Sequence, residues 1–194
     1  IPKPLQSPHP PLWQVVDTAP SIDFAARHDL QAMFWIPPTD SLVPRFEAYR
    51  DAASEARGSE VDLGEGVAVL RDMFVTETMA EAERLAGEGI VRYMQWVCEF
   101  RGLGNHRYPG EEFPDTPGKL DLLSYEWLHP RNMLFGTPDY VAGKIHEMKE
   151  KLNLRKLLVW SSFPGVAHEA TMDSIARFTE EVMPQFADVT EEVA

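Results

Sequence analysis

Apolar and polar positions along this chain follow two rhythms in turn, short unbroken apolar runs and stretches with a helical period. Leu12, Trp13, Val15 and Val16 form the first run, rich in the β-branched and aromatic residues of a buried strand. Asp17-Thr18-Ala19-Pro20-Ser21 stops it. Thr18 is a good N-cap type, and Pro20 suits a first helical turn because its missing N–H would be unbonded there anyway. Gln31 to Ile36 is the next strand, ended by Pro37-Pro38. A helix is expected from about Ser41 to Ala56, with Leu42, Phe46 and Tyr49 on one face and Gly58 ending it. A third strand region spans Val67, Val69, Leu70, Met73, Phe74 and Val75, with Arg71-Asp72 reading as an interruption.

Thr78 and Glu81 have capping-box spacing and predict a helix through Ala82, Leu85 and Ala86, which Gly87 and Gly89 are expected to break. A second helix follows from about Ile90 to Phe100, with Ile90, Tyr93, Met94 and Val97 on one side. Gly102 to Leu128 is rich in glycine and proline and poor in apolar periods, as a lid, a binding loop or a disordered insertion would be. Thr137-Pro138-Asp139 then opens a helix in which Val141, Ile145, Met148 and Leu152 share a face, and Asn153 closes it. Leu157 to Trp160 is the fourth strand, with Ser161 to Gly165 as its exit turn. A last helix from about His168 to Phe186 turns Met172, Ile175, Phe178 and Val182 inward.

Four strands alternating with helices imply a parallel sheet under helical cover, because parallel strands need crossover connections. The pattern leaves two architectures open, an open doubly wound sheet and part of a (β/α)8 barrel. No glycine fingerprint follows a strand, so a dinucleotide site of the Rossmann type has no support. A full barrel takes about 250 residues, and four units supply half of one. Half a barrel has two open strand edges and an incomplete core, so the chain reads as a fragment or as the partner of another half.

Composition narrows the function classes. The 194 residues are 44% hydrophobic, enough for a sizeable core, and one domain is the default. No apolar run approaches the roughly 20 residues of a membrane span, and Ile1-Pro2-Lys3-Pro4 has no basic-then-apolar signal pattern. The net charge of −13 argues against nucleic acid or an anionic membrane as partner. Cys98 is the single cysteine, so an internal disulfide is excluded and a reducing cytoplasm is expected. Its place on a helix suggests a buried, inert thiol. The six histidines do not cluster at ligand spacings, so no metal site is expected. His106 and His129 bracket the irregular segment and read as solvated loop residues.

Two readings of the first turn stay open on the residues alone: a plain helix cap at Thr18 with Ser21 beside it, or an anion site. Amides at a helix start point outward unbonded and carry about half a positive charge, so an anion can take the place of their missing partners. Trp35 reads first as a core residue, and Ser161 and Ser162 as the end of their strand.

Four stretches together resemble the C-terminal half of the bacterial-luciferase-like flavin monooxygenases: PKPLQSPHPPLW before the first strand, VVDTAPSIDFAARHDL after it, FGTPDYVAGKIHEM, and LLVWSSFPGVAHEATMDSIARFTEEVMPQF. The resemblance implies a (β/α)8 TIM-barrel fold of which about four C-terminal βα units are present. It makes residues 1–194 the C-terminal half of the domain, with 102–128 an irregular lid or insertion. It implies reduced flavin mononucleotide (FMN), or a deazaflavin coenzyme, acting with molecular oxygen on a small organic substrate. Asp17, Thr18 and Ser21 match the family's flavin-phosphate turn, with Asp17 in a backbone or orienting role because its carboxylate would repel phosphate. Trp35 falls near the flavin ring. No catalytic acid or base is assigned, because most of the family's reactive groups lie in the first four strands. An oligomer, or pairing with an N-terminal half-barrel, is expected. The alternatives are a non-catalytic flavin-binding or partner subunit on the same scaffold, and an inactive truncated fragment.

Overall fold

A computed structural model describes residues 3–116 and 118–189. Five strands form one wholly parallel sheet: β1 (Trp13–Val15), β2 (Gln31–Phe34), β3 (Val67–Val75), β4 (Met133–Gly136) and β5 (Leu157–Trp160). The outer layer is α1 (Ala19–Arg27), α2 (Thr39–Arg57), α6 (Pro138–Leu152) and α7 (His168–Arg177). Between β3 and α6 the chain makes an excursion through α3 (Met79–Ala82), α4 (Glu88–Arg101) and α5 (Tyr125–Asn132). The barrel is not closed, because β1 and β5 each pair on one side only among the described residues.

Strand alternation divides the side chains between two cores. Ala32 and Phe34 of β2 and Val67, Val69, Met73 and Val75 of β3 face outward and pack against α1, α2 and α6. The opposite face of β3 carries Leu70, Asp72 and Phe74. At its C-terminal end, Phe74, Met133 and Phe135 are covered by the excursion, through Ala86, Ile90, Met94 and Leu128. Along its two edges, β1 and β5, that inner face is bare: Trp13, Val15, Leu158 and Trp160 are 41%, 49%, 40% and 49% exposed. These are the side chains that a second half-barrel would bury.

The sheet has a handover that four-strand periodicity did not predict. Val69 pairs with both Phe34 of β2 and Leu157 of β5, so those strands lie on opposite edges of β3. Asp72 pairs with both Met133 of β4 and Trp160 of β5, so β4 occupies the edge that β2 has just left. Arg71 sits at this break, 2% exposed on the outer face. Its guanidinium donates to the carbonyls of Trp35, Pro37 (2.8 Å) and Leu70 (3.2 Å), supplying donors where the departing chain has left the ladder. Arg71-Asp72 therefore does not interrupt β3, which runs unbroken from Val67 to Val75.

Other expectations are corrected by packing. Gly87 and Gly89 do not break the helix, which continues from α3 through a wide π turn (Glu83–Gly87) into α4. A β-carbon at Gly89 would lie 2.5 Å from the Pro164 carbonyl, and one at Gly87 would lie 3.3 Å from the Tyr125 ring. Those glycines permit close approach. The expected irregular segment 102–128 ends early, because α5 begins at Tyr125. The last helix is α only to Arg177 and continues as π and 3-10 turns to Val189, and Met172 is 49% exposed instead of inward.

Replacing Arg71 with Met keeps the volume and removes all three donors. The unmet carbonyls should cost about 3 kcal/mol or more, read as a lowered urea midpoint. An unchanged midpoint would mean that the handover does not depend on this side chain.

Candidate functional site at the start of the first helix

Thr18 is the N-cap of α1, in extended backbone, and Pro20 lies in the first turn. Thr18 and Ser21 form a reciprocal cap. The Ser21 N–H donates to Thr18 Oγ1 at 3.4 Å, and the Thr18 N–H donates to Ser21 Oγ at 3.1 Å. Ser21 Oγ also accepts from the Asp17 N–H at 3.3 Å and donates to the Thr18 carbonyl at 2.8 Å. The Thr18 hydroxyl points at Ser21 Oγ, 3.2 Å away. Both hydroxyls are exposed and both serve the cap, so an anion arriving here would compete with it for the Thr18 proton.

Two arginines that local sequence does not single out bear on this turn, Arg101 by contact and Arg45 through its charge. Arg101, in the last turn of α4, pairs with the Asp17 carboxylate at 3.1 Å. Arg45 on α2 reaches Asn105 at 3.4 Å, while its Nη1 is buried with no partner among the described residues. Burial holds the Arg45 guanidinium below its usual basicity, and the Asp17 charge partly offsets this. Only the return of the chain from distant segments brings Asp17, Arg45 and Arg101 together, and no local motif records that. As a place for a phosphate it offers the positive end of a helix, a Thr18 hydroxyl that could turn away from Ser21, and the Arg101 guanidinium, with Arg45 near by, whereas the Ser21 proton is held by the Thr18 carbonyl.

Trp35 follows β2 on the inner face, half-buried, and is held from both sides of the sheet. Its carbonyl accepts from Arg71, and its indole N–H donates to Asp72 Oδ2 at 3.1 Å. Its ring centroid lies 5.8 Å from that of Tyr93 on α4. Asp72 is fully buried, and its Oδ1 has no hydrogen-bond partner among the described residues. Burial pushes this carboxyl up to about 7, against the opposing pull of the Trp35 hydrogen bond and the Arg71 charge.

The remaining candidates separate from this place. Ser161 and Ser162 leave β5, and the Ser162 carbonyl accepts from the Trp160 indole at 2.8 Å. His106 is fully buried, not solvated, with Nε2 3.5 Å from Cys98 Sγ and its ring against Trp127. Burial, with the Arg131 charge added, pushes His106 down to about 3, so it is neutral. His129 is half-buried and contacts the Phe135 carbonyl at 2.7 Å. Cys98 is buried, and burial raises its thiol to about 11, which removes the thiolate a nucleophile needs. An open groove of about 710 Å³ between the α3–α4 helix and the start of α5, lined by Glu83, Arg84, Arg92 and Tyr125, shares no residue with the helix-start cluster. Among the described residues no group of three or more His, Cys, Asp or Glu could hold a metal, and no helix is long and apolar enough to cross a membrane.

No protein-family model matches the chain. It is 22% identical to the oxygenase component of the flavin-dependent trigonelline monooxygenase of Acinetobacter baylyi, over 96% of this chain and 51% of that protein. The monooxygenase RslO1 of Streptomyces bottropensis superposes with a TM-score of 0.72 at 22% identity, over 96% of this chain and 51% of that one. The oxygenating constituent of 3,6-diketocamphane monooxygenase from Pseudomonas putida, solved with FMN, gives 0.69 at 25% identity, over 91% and 49%. A coenzyme F420-dependent tetrahydromethanopterin reductase from Methanopyrus kandleri gives 0.65 at 16% identity, over 93% and 52%. The fold is therefore that of half a luciferase-like (β/α)8 barrel. The proteins it resembles are flavin-dependent monooxygenases and their deazaflavin-using neighbours, and the chain spans about half their length.

Buried neutral His106 has a consequence for acid stability. Its folded-state proton affinity lies below the ordinary value of 6.5, so its contribution is present above that pH and is lost as pH falls toward 3. Asp72 acts oppositely: raised from 3.8, its contribution is present below that pH and fades as pH rises through about 7. Between pH about 7.5 and about 5, the unfolding free energy read from urea titrations should change more favourably in H106Q than in the unsubstituted chain, because only His106's contribution is removed. An equal change in the two proteins would contradict a buried neutral imidazole.

Proposed function

We propose that residues 1–194 are the C-terminal half of a luciferase-like flavin-dependent monooxygenase domain, and that the start of α1 holds the phosphate of FMN. The observation that carries this reading is the pairing of Arg101 with Asp17 at the Thr18–Ser21 cap, with the buried Arg45 guanidinium close enough for the same carboxylate's charge to act on it. In this reading Thr18 turns its hydroxyl proton from Ser21 to a phosphate oxygen. Arg101 turns from Asp17 toward the anion, and Arg45 Nη1 finds the acceptor it lacks. Asp17 orients Arg101 without touching phosphate. Trp35 stands on the inner face, where the ring of the cofactor would lie.

Bound reduced flavin supplies the electrons by which oxygen is used on a small organic substrate, and a deazaflavin coenzyme would take the same anchor. The irregular stretch between α4 and α5 serves as a lid that limits water. It is organised by Asp115, which accepts from the Gly104 N–H at 2.7 Å, and by Arg107, which donates to the Phe113 carbonyl at 2.7 Å. The bare apolar face calls for a complementary half-barrel or a second copy, in a cytoplasmic setting that suits the lone reduced Cys98. That same bare face favours a second reading, a non-catalytic flavin-binding or partner subunit. Oxygen uptake with reduced FMN and candidate substrates separates the two.

Binding of FMN and of riboflavin to the chain tests the anchor, because the two ligands differ only in phosphate. FMN should bind about tenfold or more tightly, and R45Q combined with R101Q should erase that difference, a loss of about 1.4 kcal/mol or more. Equal affinity for FMN and riboflavin in the unsubstituted chain would overturn the assignment.

A further inference from the structure

Asp72 is a buried carboxyl that no part of the phosphate reading uses. It sits on β3 with its side chain on the inner face, paired in register with Met133 of β4 and Trp160 of β5. One oxygen accepts from the Trp35 indole at 3.1 Å, and the other has no partner among the described residues. Arg71, the preceding residue, points to the outer face and holds the Trp35 carbonyl. Consecutive residues of one strand thus grip one tryptophan from opposite faces, by its backbone and by its ring.

We propose that Asp72 is a positioning residue that fixes the Trp35 indole against Tyr93, and that gain or loss of its proton changes how firmly the indole is held. A charged acceptor makes a hydrogen bond roughly twice as strong as a neutral one. Ionised Asp72 therefore pins the ring, and protonated Asp72 relaxes it. The charged and titratable groups that act on this carboxyl are Arg71 on its own strand and Tyr93 on α4. Trp35, just after β2, and Met133 and Trp160, its register partners on β4 and β5, carry no charge. Burial sets the carboxyl near neutrality, where an intracellular change of pH can move it.

The consequence for the cofactor rests on the reading of Trp35 as a wall of the flavin site, whereas the grip itself does not. Intrinsic fluorescence separates the two. The emission difference between the unsubstituted chain and W35F should show a step with a midpoint near 7. In D72N the step should vanish while the emission maximum stays put, because the amide oxygen still accepts from the indole. In D72L the maximum should shift at every pH. A step that survives in D72N, or a D72L emission identical to that of the unsubstituted chain, would overturn the proposal. If the step behaves as stated but flavin affinity is the same in D72N and D72L, the grip stands and only the flavin-wall reading of Trp35 fails.

Discussion

The guanidinium of Arg71 meets three backbone carbonyls at the one point where the sheet changes partners. β3 is nine residues long, more than twice β2 or β4, and borrows a neighbour from each in succession along a single edge. Between them the departing chain at Trp35 and Pro37 would present carbonyls to a sealed interior, a costly arrangement without donors. One planar side chain with five N–H groups can serve several such acceptors, which lysine cannot do. The cation is itself fully buried without a direct carboxylate bond among the described residues, and burial lowers it only to about 10, so it remains charged at neutral pH.

From this point the rest of the layout follows. Because β2 leaves the sheet at Trp35, that residue ends on the inner face with its indole free to meet Asp72. Because β4 takes over the vacated edge, the excursion through α3, α4 and α5 must return to the same rim, which lays α4 over Phe74 and brings Arg101 to Asp17. The charge cluster at the start of α1 is therefore a by-product of sheet topology as much as of local sequence.

That division explains what could be read from the chain directly. The caps at Thr18, Thr78 and Thr137 and the left-handed Gly58 and Asn153 are local signals, and each ends or begins a helix where expected. Arg71-Asp72 reads as an interruption because ionisable residues are rarely fully buried, whereas here the partners that make them tolerable, the Trp35 and Pro37 carbonyls for Arg71 and the Trp35 indole N–H for Asp72, come from the segment just after β2. Gly87 and Gly89 misled because the same residue type both breaks helices and permits close contact, and only Pro164 and Tyr125, distant in sequence, decide between the two. β4 begins at Met133 directly after α5 ends at Asn132, so no turn residue sets its short apolar run apart from the helix before it. His106 looked solvated for lying in a glycine-rich stretch, yet that stretch folds back on Cys98 and Trp127. Arg45 and Arg101 carry no motif at all, since their meaning depends on where α2 and α4 come to rest.

The pair formed by Asp17 and Arg101 bears on how an acidic chain could hold an anion. With a net charge of −13, the long-range field disfavours any phosphate. Screening confines that field to about 8–10 Å at ordinary ionic strength, so the local balance of charge decides. At the start of α1 that balance is Asp17 against Arg101 and Arg45, with the partial positive charge of the helix added. The Arg101–Asp17 contact is half-exposed, and such a pair is worth at most about 1 kcal/mol. On the proposed reading, exchanging it for a phosphate contact would cost little, and Arg45, whose Nη1 has no partner among the described residues, would add a second cation. On the same reading, a carboxylate that looks repulsive in sequence would act in three dimensions as a placeholder, keeping a guanidinium at the rim until a stronger acceptor arrives.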